Sequence, residues 1–269
     1  GRAVEASGGA AAALELRGAL LSALSRIPGV DSAGTLRERA MQSLEEAVSK
    51  ETDRARAWAH LSGVYRREAR FDDARVAARE ASEADAFLIK EALYLQKAVE
   101  VAMDVGDLRK AIDLIRRGRE RLPNDPWWDQ AALVTLGAAG SPIQPPDSVW
   151  SILARYERLR GRTDPIARMQ VAAALARLGL ADSARAVLRR ARESIPERAR
   201  AFGWYYEANV RLHLGERDSA LALLGRYLDA NPDDRAHVGQ DAYWEPLRDD
   251  PEFRSFVSTD SPEPAASRQ

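Results

Sequence analysis

One pattern of apolar stripes returns four times along this chain, and it confines the fold to stacked pairs of helices. Trp58, Leu61 and Tyr65 fall at i, i+3 and i+7, one face of a helix. A second stripe follows at Phe71, Ala74, Ala78 and Ala81. Between the stripes lies a tight polar turn at Arg70, with no room for a long loop. Two short helices with facing stripes form an antiparallel hairpin. The same order returns as Leu95, Ala98, Ala102, Gly106, Leu108, Ala111, Ile115, Gly118 and Pro123. It returns again from Val171 through Gly179, Ala184 and Leu188 to Pro196, and from Trp204 through Gly215, Ala220 and Leu224 to Pro232. A weaker copy holds Ala40, Leu44 and Ala47.

This pattern resembles the tetratricopeptide repeat (TPR), a unit of about 34 residues. Aligning the family's small residue at its twentieth position on Ala40, Ala74, Ala111, Ala184 and Ala220 puts repeat starts at Leu21, Ala55, Ala92, Pro165 and Ala201, at intervals of 34, 37, 73 and 36 residues. The long interval holds one irregular unit at 126–164, with helices expected at Trp127–Gly137 and Asp147–Gly161 and Asp147 as N-cap of the second. Small residues let helix backbones approach, glycine makes the turn, and proline ends the second helix. The resemblance implies an all-α, right-handed α-solenoid of about five TPR-like hairpins with a C-terminal capping segment. The expected organisation is N-terminal helices and a degenerate first repeat at 1–54, two repeats at 55–125, the irregular hairpin at 126–164, two repeats at 165–233, a cap at 234–257 and a disordered tail at 258–269. Departures from the pattern are Ala78 for Phe, Ala86 for Pro, Arg211 for an apolar Tyr, and Pro28-Gly29 inside the first unit, which ends its first helix near Ile27. Pro142, Pro145 and Pro146 predict a long turn in the irregular unit. In the cap, Tyr243, Trp244, Phe253 and Phe256 are expected to cover the last hairpin, and Asp250-Pro251 starts a short helix.

Composition narrows the function. Lys+Arg 40 against Asp+Glu 41 gives a formal net charge of -1, which argues against coating nucleic acid or gripping a membrane with a basic patch. The absence of cysteine removes disulfides, thiolate nucleophiles and Cys-ligated metals. No apolar run approaches the ~18 residues of a membrane span, so membrane association is expected only through a partner or an anchor preceding Gly1. The lack of cysteine suits an extracytoplasmic or membrane-associated chain somewhat better than a cytoplasmic one.

No enzyme signature emerges. His60, His213 and His237 lack metal-ligand spacing. Gly8-Gly9 and Gly137–Gly140 lack the Lys-Ser/Thr of a phosphate loop, and there is no Gly-x-Ser-x-Gly elbow. Asp72-Asp73, Asp233-Asp234 and Asp249-Asp250 read as capping residues. No cofactor or metal is expected. The Trp127-Trp128 pair cannot point one way on a helix, so one ring is expected in the core and Trp127 is a candidate partner anchor.

In the TPR family, first helices line a concave groove. Carried over position by position, the resemblance implies partner-binding residues Arg66, Arg67, Gln96, Glu100, Met169, Arg177, Tyr205, Asn209 and His213, with Trp204 in the core and Tyr205 in the groove. Small Ala59 and Gly63 break the pattern of a carboxylate clamp. The expected function is a non-catalytic scaffold binding a peptide or a partner subunit. The alternatives are an accessory structural subunit of a larger, membrane-bound complex, and a regulatory module of a bacterial Ser/Thr kinase or cyclase.

Overall fold

One backbone conformation sets the turn inside each regular hairpin. In the computed structural model, which describes residues 2–25, 33–84, 91–138 and 146–258, the turn residue has positive φ in four hairpins: Ala69 at 55°, Gly106 at 74°, Gly179 at 75° and Gly215 at 77°. Glycine reaches this region without steric cost. The next amide then bonds back across the helix end, Arg70 N to Tyr65 O at 2.9 Å, Leu180 N to Leu175 O at 3.0 Å and Glu216 N to Arg211 O at 2.9 Å, which closes the first helix and starts the second.

The described residues form six helix pairs: α1 (Arg2–Leu24) with α2 (Ala33–Lys50), α3 (Ala55–Arg67) with α4 (Phe71–Ala84), α5 (Glu91–Asp104) with α6 (Leu108–Arg121), α7 (Trp127–Gly137) with α8 (Pro146–Arg160), α9 (Pro165–Arg177) with α10 (Ala181–Ser194), and α11 (Arg200–His213) with α12 (Arg217–Ala230). The chain is an all-α solenoid: first helices stack as α1, α3 and α5 and again as α7, α9 and α11, and each second helix packs on the next pair. Ala40, Ala74, Ala111, Ala184 and Ala220 are all wholly buried. A methyl group there lets paired helices approach closely, and anything larger overpacks the contact.

The structure adjusts several expectations. There are six pairs among the described residues, not about five, because the irregular unit at 126–164 supplies a full pair beside the five aligned repeats, and α1 begins well before Leu21. Helix α8 starts at Pro146, so Asp147 lies in its first turn and is not the N-cap; its charge still favours the positive helix end. Arg211 is tolerated because it pairs with Glu216 at 2.5 Å and Glu207 at 3.1 Å. Gly1, Pro28-Gly29, Ala86, Pro142 and Pro145, and the tail beyond Ser258 lie outside the described residues.

After α12 come α13 (Arg235–Gln240), a 3-10 turn (Ala242–Leu247) and α14 (Pro251–Val257). Asp250 caps α14 by accepting from Glu252 N at 2.9 Å and Phe253 N at 3.3 Å. Trp244 and Phe253 bury completely against the last pair. This segment also reaches back to the other end of the molecule. Helix α13 touches α3, Phe71 and His237 lie 6.4 Å apart between ring centroids, and Arg37 joins Glu68 at 2.5 Å and Asp233 at 3.4 Å.

Candidate functional site

The returning C-terminal segment and the inner face of the first helices border a half-open cavity of about 400 Å³. Its walls come from α3, α5, α7, α11, α12 and the segment after Pro232.

One wall is an ion-pair cluster. Glu100 and Asp104 stand one turn apart on α5 and share a face. Arg66, in the last turn of α3, extends its fork to both: Nη1 to Glu100 at 2.5 Å, Nη2 to Asp104 at 3.0 Å, with Nε also on Asp104. Lys97 adds a bond to Glu100 at 2.9 Å. Burial opposes ionisation of Glu100, but Arg66 and Lys97 overcome it and hold its carboxyl below the ordinary range. Burial wins at Asp104, whose carboxyl lies above its ordinary value despite Arg66. The two carboxylates outweigh burial at Arg66 and keep the guanidinium protonated.

The opposite wall is aromatic and acidic. Tyr205 is only 8% exposed. Its ring sits 5.0 Å from Tyr227, 5.3 Å from Tyr206, 6.0 Å from Tyr243 and 5.3 Å from Trp244. Its hydroxyl donates to Asp241, and that of Tyr227 donates to Asp234. Burial first, then Asp241, lifts the Tyr205 phenol far above its usual range. Trp127 closes one side, packed edge-on against buried Trp128 at 4.9 Å. Phe202 is 51% exposed at the rim.

Arg66, Glu100, Trp127 and Tyr205 therefore meet in one cavity, and Arg67 lies half-buried beside Arg66. The other candidates sit elsewhere. Gln96 donates to Asp125 at 3.2 Å. Arg177 and His213 serve the C-terminal end of α7: Arg177 donates to Leu136 O at 2.5 Å, and His213 Nε2 lies 2.9 Å from Gly137 O. Tyr243 adds a bond to Val134 O at 2.7 Å. The last carbonyls of a helix lack intrahelical donors, and three residues distant in sequence supply them. A carbonyl only accepts, so His213 carries its proton on Nε2. Burial lowers the His213 pKa below 6.5, and nearby Arg177 lowers it further, against the opposing effect of the Gly137 bond.

The expectation of an open groove over α9 and α11 is corrected. Met169 and Asn209 are each 1% exposed. Met169 packs with Leu188 and Val210. Trp204 is only partly buried, packed against the core of the last pair with the Arg226 guanidinium 4.3 Å from its ring centroid, while Tyr205 is buried yet still lines the cavity. The physical reason is that neighbouring first helices close on one another and the C-terminal segment covers α11.

Tyr206, Tyr227, Asp234, His237, Asp241 and Tyr243 also line the cavity and were not among the sequence candidates. For Asp234, Asp241 and Tyr243 the one signal is the cluster of aromatics and aspartates after Asn231, which reads locally as a cap. Among the described residues, no three His, Asp or Glu side chains converge in metal-binding geometry, and no helix is long and apolar enough to cross a membrane.

No family model matches the chain, and no curated protein matches it. Among solved structures it is similar to YrrB, a TPR protein with an unusual peptide-binding site, at 17% identity over 77% of this chain and 84% of that chain, with a TM-score of 0.32. The hairpins themselves carry the TPR-like build, in their alanine contacts, positive-φ turns and pair-on-pair stacking.

Proposed function

We propose that this chain is a non-catalytic protein-interaction scaffold that receives an extended segment of a partner protein at the cavity. The observation that supports this reading is the composite wall: helices from separate repeats and the C-terminal segment converge on one aromatic-lined space. Aromatic rings such as Trp127 and Phe202 supply large contact area with little rotamer entropy to lose, the profile of interface hot spots. The test uses wild type, Trp127→Ala and Phe202→Ala as immobilised baits, with mass spectrometry of retained proteins. A partner held by wild type and released by both variants, with helical content unchanged, is the expected result. Equal retention by all three moves the contact away from the cavity.

A second reading, the accessory structural subunit, is favoured by α1. Leu16, Leu20 and Leu24 form an exposed apolar stripe along α1, and a contiguous exposed apolar patch marks an interaction surface. Leu20→Glu should abolish partner retention if this edge carries the contact and leave it intact if the cavity does.

A further inference from the structure

We propose that the cavity accepts a cationic group, the guanidinium or ammonium of an arginine or lysine side chain in an extended partner segment. The proposal rests on the scaffold reading above and specifies the chemistry of the same site.

Charge decides the sign. The lining holds four carboxylates, Glu100, Asp104, Asp234 and Asp241, and Arg66 with Lys97, which bonds Glu100 from behind, balances only the first two. Arg66 is committed to Glu100 and Asp104 on its own wall. Asp234 and Asp241 face it from the other side, where each receives a tyrosine hydroxyl. The nearest basic group to Asp241 is His237 Nε2, at 4.0 Å. An ionised carboxylate has about four acceptor positions, so a hydroxyl and the backbone amide of Tyr243 leave Asp241 with acceptor capacity to spare. An anionic ligand would meet these two carboxylates head-on. A purely apolar one would strip their water without replacing it, which is costly.

The aromatic faces point to the same ligand. Trp127, Phe202, Tyr206 and Tyr227 line the space between the walls, and a cation over such faces is attracted by their quadrupoles. A long basic side chain can lay its methylenes along the rings and present its charge to the aspartates. A volume of about 400 Å³ lies near the lower end of ligand pockets, which fits one side chain better than a folded element. Phe202, exposed at the rim, stands where the rest of the segment would cross.

The test measures binding of the full chain to fluorescein-labelled Gly-Ser-Gly-X-Gly-Ser-Gly peptides by anisotropy, with X as Arg, Lys, citrulline or Glu. Agmatine and spermidine serve as free cations in calorimetry. Asp234→Asn and Asp241→Asn, singly and together, keep an acceptor for the tyrosine hydroxyls while removing charge. Melting curves check that the variants fold. The Arg and Lys peptides should bind, citrulline should lose about tenfold or more, Glu should not bind, and the double variant should lose about tenfold for the Arg peptide. If citrulline or Glu binds as well as Arg, the cationic assignment falls and the scaffold reading stands. Agmatine binding that the aspartate variants abolish, without binding of any peptide, supports the cation site and removes the scaffold reading. If no peptide and no free cation binds, the cationic assignment is overturned.

Discussion

A Cβ placed on Gly118 would lie 2.4 Å from the indole ring of Trp128. Trp128 is wholly buried between α6 and α7, so the ring has nowhere to retreat. Gly118→Ala is expected to destabilise the fold by about 1–3 kcal/mol through overpacking. Gly63→Ala is the control, because its Cβ meets only the side-chain end of Lys97, at an ordinary contact distance of 3.7 Å. That change should be neutral or add about 0.5–1 kcal/mol from helix propensity. Urea titration of both variants checks the contrast, and equal effects would contradict the packing described.

Ala69 is the only non-glycine at positive φ among the described residues. It occupies the turn site held by Gly106, Gly179 and Gly215 in the other regular hairpins. An L-residue pays about 1–2 kcal/mol there, while glycine costs some unfolded-state entropy. Ala69→Gly is therefore expected to stabilise the protein by roughly 0.5–1 kcal/mol. A fall in the melting temperature would show that the turn is held for another reason.

His213 gives the fold a pH dependence of definite sign. Its folded pKa is depressed below 6.5 by burial, so the unfolded chain takes up the proton first as pH falls. Stability is complete above about 6.5 and declines as pH drops through the window down to the folded value. His213→Gln keeps a donor for Gly137 O and removes the titration. Between about pH 7.5 and pH 5.5 the wild type should lose more thermal stability than the variant. Parallel losses would place the titrating group elsewhere.

The Tyr243 hydroxyl, at 2.7 Å from Val134 O, ties the C-terminal segment to α7. Tyr243→Phe keeps the ring and leaves that carbonyl without its donor. A loss of about 1 kcal/mol is expected, measured by chemical denaturation. An unchanged midpoint would mean that water replaces the hydroxyl without cost.

Local grammar was legible and distant geometry was not. Ala74 and Ala111 could be placed at helix contacts because a repeat fixes its own register, and both are wholly buried. Gly106, Gly179 and Gly215 announced their turns because only glycine adopts that backbone freely. The repeat positions of Arg177 and His213 point toward a groove. Their actual acceptors lie 41 and 76 positions earlier, a separation no periodicity encodes. The burial of Tyr205 escapes the repeat pattern for the same reason. Its surroundings depend on where Asp241, Tyr243 and Trp244 return, and a segment without repeats carries no rule for that path.

The return of α13 to α3 changes how this chain should come apart. An open repeat array frays from its ends, since each unit leans only on its neighbours and the terminal ones lean on least. Here Asp233 holds Arg37 and His237 lies against Phe71, so the two ends steady each other. Neither can melt early without releasing the other. Unfolding then gains the all-or-none character of a small globular domain, and a lesion near the last hairpin is felt at the first.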